Sequence, residues 1–321
     1  MKKIVEEVRL MVKCCTLYYE DGINQQEISK ILGISRPTVS RLLKDAKEQG
    51  IIKIEINNPI NYSYHKLERR LEKMLGVKEV IIVEDKSDHV SQKVEIGNAA
   101  AKYLERIIKD GDIVGVSMGT TIKEIARFVK NTSTMKTTFI PLIGGVGQTG
   151  LEIHSNQIAI DLAKAFGGDF KLLHVPAVIS NPGLKEGFER EESIKQILNF
   201  IKKVNIAIVG IGVPLNKDST MITTGYFNEH DIESLAQKKA VGDICLQFYD
   251  IYGSTAQFEF NEKVFGIGLN MLKQIDRVIG VAGGDDKAES ILGAVNGKYI
   301  NILVTNYSCG EALVTKLVDQ K

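Results

Sequence analysis

"ISKILGISRPTVSRLLKDAKEQG", Ile28 to Gly50, decides the fold of the N-terminal part of the chain. Apolar Ile28, Ile31 and Leu32 belong to a short helix that begins near Gln25. Gly33 supplies the permissive backbone of a tight turn, and Ile34 anchors that turn in a core. Ser35 is a natural N-cap for the next helix. Pro37 fits its first turn, where a missing N–H costs nothing, and Val39, Leu42, Leu43 and Ala46 form one apolar stripe before Gly50 closes it. Upstream, Ile4, Val8, Met11, Val12, Cys15 and Tyr19 recur at steps of three and four, which predicts a helix with these residues on its inner face, ended by Asp21-Gly22. Downstream, "IIKIEIN" alternates after Gly50 and is expected to form a wing strand.

Charge says what this unit touches. The chain is nearly neutral, with 41 Lys and Arg against 40 Asp and Glu. Between Lys30 and Lys53, however, Lys30, Arg36, Arg41, Lys44, Lys47 and Lys53 meet only Asp45 and Glu48. With the apolar stripe buried, the helix that starts at Ser35 turns Arg36, Thr38, Ser40, Arg41 and Lys44 outward. With Ser35 at the helix start they are the candidate DNA-binding residues, since such cationic donors and hydroxyls read base edges and grip phosphates. A solvated helix face would explain the charges alone, but not a short helix, a glycine turn and a second capped helix in immediate succession. The expected partner is DNA.

At 321 residues and 44% apolar content, the chain has material for about two domains. It shows no ordered signal-peptide regions and no apolar run near the roughly 18 residues that span a bilayer, so a cytoplasmic protein is expected. Cys14, Cys15, Cys245 and Cys309 lack CxxC spacing and read as buried thiols. The histidines show no HExxH or i, i+4 pairing, so no metal is expected.

Asn57-Asn58-Pro59 breaks the pattern, which places a helix-turn-helix domain at 1–58 and a larger domain at 59–321. The second begins with the amphipathic helix "YHKLERRLEKML". Then "EVIIV", "DIVGV", "TFIPLIG", "KLLHVPAVI", "NIAIVGIG", "RVIGVAGG" and "INILVT" alternate with helical segments, which predicts an α/β domain with a mostly parallel sheet covered on both faces.

Ligands bind at the carboxyl ends of such strands. After "DIVGV", Ser117-Met118-Gly119-Thr120-Thr121 leads straight into a helix, the arrangement of a phosphate cradle, with helix capping by Thr120 as the plainer alternative. After "VIGVAGG", Lys287 brings a full positive charge to a helix start, or is simply an exposed lysine. After "IPLIGG", Gly145, Gly147 and Gly150 match GxGxxG, and Asp169 lies 19 residues beyond the last of them. A dinucleotide site fits poorly, because the helix starts only near Ser155 and Asp169 precedes the next strand. The polar loop of Gly144, Gly145, Gln148, His154, Asn156 and Gln157 suits the hydroxyls of a sugar, with burial inside the fold as the alternative for any one of them.

A helix-turn-helix with Leu32-Gly33-Ile34-Ser35 and Thr38-Val39-Ser40-Arg41, joined to "GVSMGTT", "PLIGG", "AVGDICLQFYD" and "AGGDDKAESILGAVNGKYINILVTN", resembles the SorC/DeoR family of sugar-responsive bacterial transcription regulators almost end to end. The resemblance implies a phosphosugar-isomerase-like effector domain, a phosphorylated sugar as effector with no other cofactor, and a homodimer or homotetramer on operator DNA. It implies that Gly119, Thr120, Thr121 and Lys287 hold the phosphate, and that Gly144, Gly145, Asn156 and Asp243 lie near the sugar. The deoxyribonucleoside regulator of this family has a lysine before the paired glycines that forms a Schiff base; here that position is Ile143, so covalent capture is not expected.

Two other functions compete. A sugar-phosphate isomerase would need a carboxylate base, for which Asp243, Asp285 and Asp286 are candidates, but it leaves the helix-turn-helix without a role. A redox-sensing repressor would bind a nicotinamide dinucleotide at Gly145 to Gly150.

Overall fold

The computed structural model describes residues 2–54, 64–130, 136–145, 151–214 and 229–319. The chain divides into two units, Met1–Tyr62 and Ser63–Lys321. Among the described residues no helix is long and apolar enough to cross a membrane.

In the first unit α1 (Lys2–Cys15) runs on into a π-helical turn, Thr16–Glu20, and is followed by α2 (Gln25–Leu32) and α3 (Arg36–Glu48). Local chemistry sets the ends of α2 and α3. The Asn24 side chain accepts from the N–H groups of Gln26 and Glu27 at 3.1 and 3.0 Å, starting α2. Gly33 ends it at φ 64, a left-handed conformation that a Cβ would strain. Ser35 then caps α3 by accepting from Thr38 N–H at 3.3 Å.

Met11, Cys14, Cys15, Ile28, Val39, Leu42, Leu43 and Ala46 form the core of this unit. The inner face of α1 differs from the expected one. Val8, Val12 and Tyr19 stay 37%, 46% and 45% exposed, while Cys14 is fully buried. Steps of three and four fit several overlapping arcs of a helix, and only the position of α3 chooses among them. Ile51 to Ile54 form bends and coil where a wing strand was expected, the Ile51 and Ile52 N–H groups both donating to the Ala46 carbonyl. The remainder of "IIKIEIN", residues 55–57, lies outside the described residues.

The second unit opens with α4 (His65–Leu75), which buries Leu67 and Leu71. A seven-stranded sheet follows, built from β1 (Glu79–Val83), β2 (Ile113–Val116), β3 (Thr138–Pro141), β4 (Asp169–Phe170), β5 (Ile206–Gly210), β8 (Arg277–Val281) and β9 (Ile302–Asn306). Its order is β1-β9-β8-β5-β2-β3-β4, and every pairing is parallel. Alternate strand residues face opposite ways. Val114, Val116, Ile206, Ile208, Ile279 and Val281 pack under α5 (His89–Ile107) and α6 (Ser155–Phe166). Ala207, Val209, Val278 and Leu303 face α4 and the helices Ala288–Asn296 and Tyr307–Asp319. A sheet buried on both sides is why its strands read as unbroken apolar runs.

Two segments depart from expectation. "KLLHVPAVI" forms no ladder strand. Only Asp169 and Phe170 pair, with Thr138 and Phe139, and the following residues lead through bends to an isolated bridge between Val178 and Val264. Pro176 has no N–H for a ladder, and the Asn156 side chain takes the hydrogen bonds of Leu173. The second is a small antiparallel hairpin, β6 (Gly242–Ile244) and β7 (Gln247–Tyr249), which periodicity did not predict. Its two turn residues, Cys245 and Leu246, hold φ 53 and 59, left-handed values that two-residue hairpins require and side chains of this size disfavour.

Candidate functional site

From β2 the chain steps outward to β3 and β4, and β5 then returns to the other side of β2. Loops leaving β2 and β5 therefore diverge and open a crevice at the carboxyl ends of the strands, the place where open α/β sheets bind ligands. There a cleft of about 400 Å³ lies over the ends of β2, β5 and β8.

One wall follows β2. The buried Ser117 hydroxyl accepts from Gly210 N–H at 3.1 Å and ties the ends of β2 and β5 together. Gly119 turns the chain at φ 147, where a side chain would be strained. Its N–H donates to the Ile153 carbonyl at 3.1 Å, so that group is committed to the fold. Thr120 and Thr121 line the cleft. The element after them is a 3-10 helix, Ile122–Phe128, and Thr121 stands at its cap position without capping it through its side chain. Among the described residues neither threonine hydroxyl has a hydrogen-bond partner, which leaves both for a ligand.

The opposite wall follows β8, where Gly283, Asp286 and Lys287 line the cleft. Lys287 Nζ donates to the Ile211 carbonyl at 3.1 Å. Burial lowers its ammonium pKa, and the Asp243 charge opposes that shift.

Asp243 lies at the floor, on β6, held by a bridge in which it exchanges backbone hydrogen bonds with Gly212 at 3.0 and 3.3 Å. It is 5% exposed, and its Oδ1 has no hydrogen-bond partner. Burial pushes its carboxyl up to about 7, against the pull of Lys287 and of the Leu246 N–H.

The fold thus brings Gly119, Thr120, Thr121, Asp243 and Lys287 to one cleft. Gly144, Gly145 and Asn156 lie outside its lining, at the end of β3. The Asn156 amide donates to the Gly145 and Leu173 carbonyls at 3.3 and 3.1 Å and accepts from Leu173 N–H at 2.9 Å. A Cβ on Gly144 would come within 2.6 and 2.7 Å of the Val175 and Pro176 carbonyl oxygens. Gln157 bonds Asp161, and Gln148, Gly147 and Gly150 lie outside the described residues.

Motif reading missed His89, Gln92 and Lys93, which enter the cleft from the first turns of α5, and Gly210 to Val213, which follow β5. A signal existed for each. Asp88 is a legible N-cap, accepting from the Val90 and Ser91 N–H groups, and His89 and Lys93 follow it at i, i+4 spacing. "GIGV" follows an apolar run as the other site loops do.

In the first unit α3 buries Val39, Leu42, Leu43 and Ala46 and exposes Arg36, Ser40, Arg41 and Lys44. The Ser35 hydroxyl caps the helix and lies 2.8 Å from that of Thr38, so these two shape the end of α3. Lys44 makes a 3.7 Å exposed pair with Glu48, while among the described residues Arg41 has no ion-pair partner. Arg41→Ala is expected to leave the fold intact and weaken binding to the cognate DNA site. If Arg41 reads a guanine, the loss is about 1–3 kcal/mol and discrimination at that base relaxes; if it grips phosphate, the slope of log affinity against log salt falls by about one. Gel-shift titration at several salt concentrations measures both, and unchanged binding removes Arg41 from the interface.

Comparison with known proteins agrees with both units. Residues 61–315 match the Sugar-bind family, a sugar-binding domain, and residues 16–68 match a Crp-like helix-turn-helix domain. The chain is 34% identical over 313 residues to the deoxyribonucleoside regulator of Bacillus subtilis (strain 168), covering 97% of this chain and 99% of that one. It is 33% identical over 314 residues to the sorbitol operon regulator of Klebsiella pneumoniae, covering 96% and 98%. The crystal structure of that full-length regulator, SorC, matches with a TM-score of 0.75 over 96% of this chain and 99% of that chain.

Proposed function

Because the chain belongs to the SorC/DeoR family of sugar-binding transcriptional regulators, we propose that a phosphorylated sugar in the cleft over β2, β5 and β8 controls its binding to operator DNA. It is a transcriptional regulator with a helix-turn-helix and a sugar-binding domain, and not an enzyme. The phosphate is the finer step. One observation carries it: two threonine hydroxyls without partners among the described residues share a cleft with Lys93 and Lys287. A neutral sugar brings no countercharge to two ammonium groups, whereas a dianion pairs with both. Asp243, deeper in the same cleft, faces the sugar. Gly144, Gly145 and Asn156 act from behind, by holding the loop after β3.

The regulator works where operator DNA is, in the cytoplasm, as a homodimer or homotetramer, since paired half-sites about 34 Å apart call for two recognition helices. A thermal-shift screen of sugar phosphates, free sugars and a nicotinamide dinucleotide tests the reading. A ligand at 100 times its dissociation constant adds about 2.7 kcal/mol of stability. Stabilisation by a free sugar with its phosphate inert, or by the dinucleotide alone, overturns it.

Thr121→Val keeps shape and β-branching and removes one hydroxyl. It is expected to weaken effector binding by about 1.5–3 kcal/mol, roughly ten- to a hundredfold, while operator affinity without effector stays at wild type. An effector shifts an equilibrium only by its difference in affinity for the two states, so proportionately more of it is needed for the same response. Operator affinity measured across an effector titration decides: overlaid curves remove Thr121 from the site, and lost DNA binding without effector makes it structural.

A further inference from the structure

We infer that effector capture is coupled to the uptake of a proton by Asp243, so that the response of this regulator depends on pH. The inference rests on the phosphosugar reading and adds a regulation to the same cleft.

The Asp243 backbone is fixed by its bridge to Gly212, and its side chain is buried. One carboxyl oxygen is served by the Leu246 N–H, and the other, Oδ1, is buried at the cleft with no partner. The nearest cation, Lys287, donates to the Ile211 carbonyl and not to this oxygen. A buried carboxylate with one idle oxygen, and a neighbouring cation that does not hydrogen-bond that oxygen, is poorly stabilised. Burial accordingly holds this carboxyl at about 7.

A phosphate monoester, whose second pKa is about 6, is a dianion above neutrality. Its entry places negative charge beside Asp243 and disfavours the carboxylate further. Bound, Asp243 is the neutral acid: the proton comes from solvent and goes to the idle Oδ1, which then donates to an oxygen of the ligand. Binding is thereby tied to the protonated form, and affinity falls as pH rises above about 7, by up to about tenfold per pH unit.

Other titratable groups around Asp243 behave differently. Cys245 and Tyr249, on its own hairpin, are pushed up by burial and stay neutral throughout the range. Lys287, whose pKa burial lowers, faces it from the turn that also carries Asp286, and His89 and Lys93 face the cleft from α5. Lys287 is the serious competitor, because loss of its proton would also weaken an anion at high pH.

The experiment is calorimetric titration of the full chain with glucose 6-phosphate, sorbitol 6-phosphate and ribose 5-phosphate from pH 7 to 8.5. Each is run in two buffers of different ionisation enthalpy, which counts protons on the unmodified protein. Net uptake at pH 7.5, with affinity falling through the range, is the expected result. Asp243→Asn keeps the size and donates from the same position without titrating, so it should bind at pH 7 and lose the decline. His89→Gln should keep the decline. A binder with flat affinity and no uptake overturns the coupling alone. A decline that persists in Asp243→Asn assigns it to another group of the cleft and overturns the inference, as does an Asp243→Asn that folds by circular dichroism but binds at no pH, because the carboxylate would then be required. If none of the three binds, the phosphosugar reading fails with these probes and the inference fails with it.

Discussion

Lys287→Met is expected to weaken effector binding by about 2–5 kcal/mol, roughly thirty- to several-thousandfold, and to leave the fold in place. Methionine retains most of the stem's apolar volume and removes the charge. In the complex the phosphate loses an ammonium donor in a half-enclosed cleft. Stability is spared by the same chemistry. Asp243 is already held near 7, so without Lys287 it rises further and becomes neutral, which avoids an unpaired buried charge. The Ile211 carbonyl loses its Nζ donor, a modest cost beside a cleft that admits water. Thermal melts and isothermal titration against the best ligand of the screen are the two measurements. Unchanged affinity would remove Lys287 from the phosphate site. A collapse in melting temperature without ligand would make it a structural residue.

Gly266→Ala should have the largest effect on stability, above about 4 kcal/mol, enough to unfold the second unit or keep it from accumulating. Gly266 holds φ 152, where a Cβ is strained, and it forms an isolated bridge with Ile143. An added Cβ would overlap the Leu142 carbonyl oxygen and lie 2.7 Å from the Ile143 Cα. Both are backbone atoms of a fully buried segment, so no rotamer change relieves the overlap. Ile267 N–H donates to Leu142 O at 2.7 Å and Gly144 N–H donates to Phe265 O at 2.9 Å, so the loop after β3 would be displaced as a unit. Urea denaturation followed by circular dichroism, beside Gly268→Ala, whose Cβ meets nothing within 4 Å, gives the comparison. Equal midpoints for the two variants would mean that the chain relaxes here at little cost.

The N-terminal unit was legible because its determinants are local. A cap, a left-handed glycine and a stripe at helical spacing each act within a few residues, so α2 and α3 start and stop where Asn24, Gly33 and Ser35 place them. Likewise the apolar runs of the second unit became β1, β2, β5, β8 and β9, since a strand buried on both faces has no polar alternation to blur it. Gly119, Thr120, Thr121 and Lys287 were picked out as candidates by one rule, that ligands lie just past the ends of parallel strands, which needs only the order of elements, and the structure brings them to one cleft.

Other features were settled by partners far along the chain. Val8 and Cys14 are equally apolar to a periodicity argument, and only the placement of α3 exposes one and buries the other. Asn156 reads as a sugar ligand by its type, yet Leu173 and Gly145 use up its amide. Lys93 and His89 reach the cleft because α5 packs against β8, β9 and the 3-10 helix that follows β2, and Asp243 is buried because a hairpin with two left-handed turn residues bridges to Gly212, just past β5. Local motifs record what a short segment does with its own hydrogen bonds. Whether a side chain has spare hydrogen-bonding capacity, and whether water reaches it, depends on which distant backbone comes to rest against it, and for this protein the tertiary structure alone decided that.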